Sequence, residues 1–178
     1  MTELLYLGDW SCRITSSQNT VLYINPDKGK DYSRKADIIL QTTETNKSLV
    51  QLHITTDQTK IINPDLLGVG GKFNHQGIQI ERIADGAYRI SVDDKRILVC
   101  GKQESIVDGK DDYALVPILY MQISKERMAN LAKQIIPVHT SEVALFDYRV
   151  AIALQVENKL IIEPAMMIDL QKENHRNL

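Results

Sequence analysis

The chain has few of the residues that build metal ribbons, disulfide frameworks or membrane spans. Its 178 residues include only two cysteines, Cys12 and Cys100, and neither belongs to a Cys-x-x-Cys pair. That spacing excludes a zinc ribbon and a thioredoxin-like redox motif. No apolar run approaches the roughly 20 residues that span a bilayer. An excess of positive charge is also missing, since 21 Lys and Arg are balanced by 23 Asp and Glu, which argues against a nucleic-acid-binding protein.

What remains is the composition of an ordinary globular protein. Hydrophobic residues make up 43% of the chain and charged residues 25%, which excludes disorder for most of it. The length fits one domain, which we place at residues 1–171, with a polar tail at 172–178. The first residues lack the basic start and apolar core of a secretory signal, so we expect a cytoplasmic protein without membrane association. Both cysteines lie in strand-like apolar runs, and we predict that they are core thiols.

Short apolar runs between turn residues dominate the first half of the sequence. The runs at 4–7, 12–15 and 21–24 are separated by Gly-Asp and Ser-Ser-Gln-Asn, a pattern typical of an antiparallel meander. Residues 36–40 form a compact apolar run that indicates a buried central strand. Further on, strand-like runs on both sides of the Asp93-Asp94 turn predict a hairpin.

The later part of the chain mixes strands with helices. Residues 113–118 are typical of another buried strand. Apolar side chains at three- and four-residue spacings predict a helix over 124–135, with Ser124 able to cap its first turn. A short strand is expected over 136–139. Residues 142–157 are apolar enough for a helix or a pair of strands, and we favour a helix. Strands are then expected at 160–162 and 166–169.

Four stretches of sequence, taken in order, carry a family resemblance: Tyr6-Leu7-Gly8 with Ser11-Cys12; Val21 to Pro26; Asp31-Tyr32-Ser33 with Ala36 to Thr42; and Tyr113 to Ile118 with Ile136-Pro137-Val138-His139. Together they resemble the metallo-β-lactamase family, in particular its short bacterial metal-dependent hydrolases related to L-ascorbate-lactonase-like proteins. The resemblance implies an α+β fold, an αββα sandwich of two mixed β-sheets with outer helices.

The main metal motif of the resembled family is replaced here. That motif reads Thr-His-x-His-x-Asp-His and corresponds to residues 42–48. Thr43 and Thr45 occupy the positions of the two first-site histidines. Lys47 and Ser48 occupy those of the second-site aspartate and histidine. The motif has therefore lost every metal ligand.

The remaining ligand positions are replaced as well, with one exception. Asn25 stands where the family has the aspartate of an Asp-Pro pair, and Lys102 stands at the bridging aspartate of a Gly-Asp-Thr turn. The histidine expected after the strand near Ile83 is missing from residues 84–87. Only His139 corresponds to a family ligand, and we interpret it as a hydrogen-bonded residue at a strand end.

The resemblance therefore predicts the fold, while the replaced ligands mean that it does not predict the reaction. A catalytic zinc needs about three protein ligands and an open position for water, and without metal no hydroxide nucleophile forms near neutral pH. We therefore predict a non-catalytic protein without metal or cofactor, with a ligand-binding or interaction role and a possible homo-oligomeric state. Two lysines in the former site favour a small anionic ligand. The candidate vestigial pocket comprises Asn25, Thr42, Thr43, Thr45, Lys47, Ser48, Lys102 and His139.

Enzymatic alternatives stay open at this point. One is a metal-dependent hydrolase with a single relocated metal, for which His53 and His75 are the further histidines that His139 would need as partners. The other is metal-free chemistry in the same cleft. The Gly-rich segment 68–71 lacks the Lys and helix start of a phosphate loop, so we interpret it as a turn. We interpret Trp10, the only tryptophan, as a packing residue.

Overall fold

The computed structural model of the protein describes residues 1–8, 10–26, 32–42, 53–100, 109–117, 123–138, 152 and 155–172. These residues form twelve strands and one α-helix, and most strands coincide with the apolar or alternating runs of the sequence. In chain order the elements are β1 (Glu3–Gly8), β2 (Ser11–Thr15), β3 (Val21–Ile24), β4 (Ile38–Leu40), β5 (Lys60–Ile62), β6 (Lys72–His75), β7 (Ile78–Ala84), β8 (Ala87–Val92), β9 (Lys95–Cys100), β10 (Asp111–Pro117), α1 (Lys125–Ala129), β11 (Ala132–Val138) and β12 (Met167–Asp169).

The first sheet has the strand order β12-β1-β2-β3-β4-β5. Strands β1, β2 and β3 pair antiparallel, which confirms the predicted meander. Strands β4 and β5 then continue the sheet parallel to β3. The late strand β12 pairs antiparallel with β1 and forms one edge.

The second sheet repeats this mixed arrangement, with the order β11-β10-β9-β8-β7-β6. Strands β6 to β9 form an antiparallel meander, and the predicted hairpin over the Asp93-Asp94 turn is its β8–β9 unit. Strands β10 and β11 follow parallel to β9. Each sheet therefore contains three neighbouring strands that pair parallel with one another.

The main core lies between the two sheets. Ile14 and Leu22 of the first sheet share one cluster of buried side chains with Ile90, Val99 and Leu115 of the second. Burying a side chain of this size stabilises the fold by about 1.5–3 kcal/mol. The two mixed sheets packed face to face confirm the predicted sandwich, and the described part of its outer layer contains one short helix.

The predicted helix over 124–135 is wrong in its second half. Ser124 caps α1 as expected, since its side chain accepts a hydrogen bond from the Arg127 backbone N–H, but the helix ends at Ala129. Residues 132–138 instead form β11, whose Ile136 is paired with Leu115 of β10. The run from Ile135 to Val138 is rich in β-branched residues, which fit a buried strand better than a helix. Pairing with β10 therefore outweighs the helical spacing.

Other late predictions have mixed outcomes. The predicted strand at 160–162 is not formed; beside it lies only an isolated bridge between Ile135 and Lys159. The strand expected at 166–169 is present as β12. Most of the predicted helix over 142–157 lies outside the described residues. In the described part of the chain, no helix is long and apolar enough to cross a membrane.

Candidate functional site at the carboxyl ends of the parallel strands

Hydrogen bonds between the sheets show that the starts of the parallel strands lie at one end of the sandwich. Asp93, which precedes β9, accepts a hydrogen bond from the Thr2 hydroxyl, and Thr2 precedes β1. It also accepts from the Ser17 backbone N–H at 3.0 Å and from the Ser17 hydroxyl at 2.7 Å. Although burial raises the pKa of Asp93, these hydrogen bonds outweigh it and lower that pKa. We call this end, where β3 and β9 begin, the amino-end face.

The opposite end of the sandwich is where β3, β4, β5, β9, β10 and β11 finish. There Arg82, near the end of β7, donates through Nη1 to the backbone oxygen of Leu67 at 2.9 Å, just beyond β5. Since β7 and β9 run in the same direction, this contact joins the carboxyl ends of both sheets. We call this end the carboxyl-end face. Loops at such strand ends are where functional side chains concentrate.

Asn25 and Thr42 form the described part of the predicted pocket. They follow β3 and β4, which lie side by side, and the Asn25 backbone N–H donates to the Leu40 oxygen at 2.8 Å. Asn25 Oδ1 accepts from the Thr42 backbone N–H at 3.0 Å, and Asn25 Nδ2 donates to Thr42 Oγ1 at 3.1 Å. Asn25 has a φ of 49°, a left-handed conformation that asparagine tolerates better than most residues. The pair therefore latches the ends of two parallel strands together.

The other predicted pocket residues lie outside the described residues, and their convergence stays a prediction. In sequence, four of them follow β4, one follows β9 and one follows β11. They are Thr43, Thr45, Lys47, Ser48, Lys102 and His139.

The donors that the structure describes on this face do not fit a catalytic transition metal. Among the described residues, no group of three His, Cys, Asp or Glu side chains could hold a metal ion. Asn25 Oδ1, which stands at a carboxylate position of the family, already accepts the Thr42 N–H. Amide and hydroxyl oxygens are weak zinc ligands compared with imidazole, thiolate and carboxylate groups. Asn25 and Thr42 act instead as a structural latch.

The two further histidines of the relocated-metal alternative lie away from the carboxyl-end face. His53 precedes Ile54, and the Ile54 backbone oxygen accepts a hydrogen bond from the Ala36 backbone N–H just before β4. The Nε2 atom of His53 lies 2.7 Å from the Tyr32 backbone oxygen. His75 ends β6, at the hairpin that leads into β7. Both positions belong to the amino-end side of the molecule. Neither histidine is placed to complete a site at the ends of β4, β9 and β11.

A polar cavity of about 330 Å³ also lies on the amino-end side. Lys35, Asp37, Lys60 and His75 are among its lining residues. Asp37 is already engaged, because its carboxylate accepts the Val21 backbone N–H at 2.8 Å. Neither Asn25 nor Thr42, the described residues of the predicted pocket, lines this cavity.

Both cysteines are buried, which confirms that they are core thiols. Burial raises the pKa of Cys100 to about 12, with a smaller contribution from the charge of Asp111. Burial also raises the pKa of Cys12 far above its ordinary value. Since the thiolate is the reactive and metal-binding form, neither cysteine acts as a nucleophile or ligand at neutral pH.

Arg82 is a residue of the carboxyl-end face that the sequence analysis did not single out. It donates to the backbone oxygen of Pro64 at 3.1 Å in addition to Leu67, and its Nη2 forms an ion pair with Asp85 at 2.9 Å. These contacts fix the loop between β5 and β6, which contains the segment 68–71 interpreted as a turn. The sequence did contain a signal for this residue: Arg82 shares a strand face with Ile78 and Ile80, and a buried arginine on an apolar face needs hydrogen-bond acceptors nearby.

Comparison with known proteins gives structural matches only. No protein family model matches the sequence, and no curated protein matches it. The chain is similar to a Parabacteroides distasonis protein described as a metal-dependent hydrolase, with a TM-score of 0.70, 18% identity, and coverage of 90% of this chain and 92% of that one. It is similar to the metallo-β-lactamase fold protein YhfI of Bacillus subtilis, with a TM-score of 0.64, 10% identity, and coverage of 95% and 100%.

A third similar structure is Igni18, a metallo hydrolase of Ignicoccus hospitalis. Its TM-score is 0.59 at 13% identity, with coverage of 94% of this chain and 97% of that one. These matches show that the chain has the metallo-β-lactamase fold, as its sequence predicts. At such low identities they show the fold alone, and function has to be argued from the residues of this chain.

Proposed function

We propose that this chain is a non-catalytic binding protein whose carboxyl-end face holds a small anionic ligand in place of metal ions. The observation that carries the proposal is the latch between Asn25 and Thr42. It stands where the resembled family begins its metal site, and it offers an amide and a hydroxyl that already bond to each other. Five of the ligand positions that follow in sequence carry a hydroxyl or an ammonium group, while residues 84–87 offer neither and His139 is retained.

Charge supports an anion as the ligand. Lys47 and Lys102 replace two aspartates of the family pattern, which changes the formal charge of each position from negative to positive. Two ammonium groups near one another repel unless an anion or solvent lies between them. The alternative, a hydrolase with one relocated metal, has less support because His53 and His75 lie on the amino-end side.

A thermal-shift screen tests the proposal. Phosphate, small carboxylates and nucleotides are added in turn to the protein. A ligand present at about 100 times its dissociation constant stabilises the fold by roughly 2.7 kcal/mol. For a chain of this size, that stabilisation raises the melting temperature by about 5–10 °C.

Lys102→Asp is the diagnostic variant, and Lys60→Asp is its matched control. Lys60 is exposed and begins β5 on the amino-end side, so the control makes the same charge change at the opposite end of the sandwich. We expect Lys102→Asp to abolish the shift and Lys60→Asp to leave it intact. If no anion moves the transition, or if both variants respond like the wild type, the carboxyl-end face is not the binding site.

A further inference from the structure

Five buried polar atoms of the described residues have no hydrogen-bond partner. Two of them, Arg13 Nε and Thr15 Oγ1, belong to β2. The other three are Trp10 Nε1, Arg82 Nε and the Tyr88 hydroxyl. The exposed fraction is 6% for Trp10 and 0% for Tyr88. Buried polar atoms in native proteins are nearly always hydrogen-bonded, so atoms without partners call for an explanation. A bound hydrogen-bond acceptor between Trp10, Arg82 and Tyr88 would explain why these three donors have no partner.

The topology places the three residues at one end of the core. Trp10 lies in the turn after β1, and β1 runs in the same direction as β3 because both are antiparallel to β2. Arg82 and Tyr88 are direct partners across β7 and β8, at the end where β7 finishes. Trp10 and Tyr88 belong to the cluster between the sheets. All three residues therefore lie toward the carboxyl-end face, with Trp10 and Tyr88 in the core cluster.

The backbone at Trp10 adds an independent observation. Its φ is 66°, in the left-handed region that glycine adopts easily and a bulky aromatic residue rarely does. Strained residues of this kind persist where their surroundings enforce them, and they cluster at binding and catalytic sites. The turn thus keeps the indole ring buried in the core although the backbone conformation of Trp10 is unfavourable.

The chemistry of the three groups is the same. Indole and guanidinium N–H groups donate hydrogen bonds and cannot accept them. Burial raises the pKa of Tyr88, with smaller opposing effects of the charges of Arg82 and Asp85, so its hydroxyl stays protonated and able to donate. Three donors, one of them cationic, suit an oxygen that bears negative charge.

We propose that Trp10 Nε1, the Tyr88 hydroxyl and Arg82 Nε form the inner wall of the carboxyl-end site and bind a carboxylate or phosphate oxygen of its ligand. This inference rests on the proposed function, since it identifies the groups that recognise the anion. Within the proposed function Lys102 supplies positive charge, and the inner wall adds directed hydrogen bonds.

The single tryptophan provides the assay, because all intrinsic indole emission comes from Trp10. Inorganic phosphate and succinate are titrated separately while the emission spectrum is recorded, which distinguishes a phosphate from a carboxylate ligand. We expect a saturable change in emission with one of them, at the concentrations that raise the melting temperature. Because a hydrogen bond to a charged group contributes more free energy than a neutral one, we expect Tyr88→Phe to weaken binding by about tenfold or more.

Tyr23→Phe is the control, because Tyr23 is also buried but lies in a separate cluster, where its hydroxyl donates to the Arg34 oxygen at 2.8 Å. We expect this control to lose stability and keep its affinity. Tyr88→Phe removes no existing hydrogen bond, so its melting temperature without ligand should equal or exceed that of the wild type. Trp10→Phe, followed by thermal shift, should weaken binding as Tyr88→Phe does.

The outcomes separate this inference from the function on which it rests. In one outcome, the thermal shift depends on Lys102, but Trp10 emission does not change and Tyr88→Phe keeps full affinity. That outcome supports the anion site and overturns the inner wall. An ordered water between the three donors gives that same pattern. If neither anion shifts the melting temperature of the wild type, the proposed function fails, and the inner wall fails with it.

Discussion

Replacing Asn25 by alanine tests the latch that joins β3 to β4. The change removes two hydrogen bonds to Thr42, at 3.0 and 3.1 Å, each worth about 0.5–1.5 kcal/mol. It also leaves alanine at a φ of 49°, where the left-handed conformation costs an ordinary residue roughly 1–2 kcal/mol. We therefore expect Asn25→Ala to lower the free energy of unfolding by about 2–4 kcal/mol.

The measurement is urea denaturation followed by circular dichroism, with Asn25→Gly as the matched variant. Glycine loses the same side-chain hydrogen bonds but adopts the left-handed conformation freely. It should be more stable than the alanine variant by about 1 kcal/mol. If Asn25→Ala unfolds within about 0.5 kcal/mol of the wild type, or if the glycine variant is the less stable of the two, the latch does not stabilise this face.

Three further predictions concern buried and charged groups away from the latch. Asp111 is fully buried and binds Arg89 through two hydrogen bonds of 2.6 and 3.0 Å, so Asp111→Ala should destabilise the protein by about 3 kcal/mol in urea titrations. The pKa of Asp93 is lowered on folding, so its stabilising effect is present above the ordinary value of 3.8 and is lost as the pH falls further. Asp93→Asn should therefore unfold with a weaker dependence on pH below about 4, and an unchanged dependence would contradict this. Because burial raises the pKa of Cys12 and Cys100, neither thiol should react with a disulfide reagent at pH 8 until the chain is unfolded; rapid labelling of native protein would refute their burial.

The strands could be predicted from the sequence where one periodicity dominates. The runs that became β1 to β4 are short, apolar and bounded by turn residues, so local pattern and tertiary position agree. The second half of the predicted helix 124–135 failed for the opposite reason. Its apolar spacing is compatible with a helix, and only the neighbouring strand β10 makes the extended form of Ile135 and Ile136 the better one.

Of the predicted pocket, the structure describes Asn25 and Thr42, and the convergence of the other residues stays a prediction. The resemblance identified Asn25 and Thr42 as neighbours, and the structure joins them by direct hydrogen bonds. It did not indicate the inner wall, because Trp10, Arg82 and Tyr88 are far apart in sequence and match no motif. Their proximity to one end of the core follows from strand direction and register, which a local pattern does not specify.

The central claim is that this metallo-β-lactamase fold has exchanged its metal ligands for a binding surface without metal. Elemental analysis of protein purified without chelator tests it most directly, since a catalytic site of this kind needs about three protein ligands per ion. We predict well under one zinc, iron or manganese ion per chain. One tightly held ion per chain, lost in His139→Ala, would contradict the account and favour a hydrolase with a relocated metal.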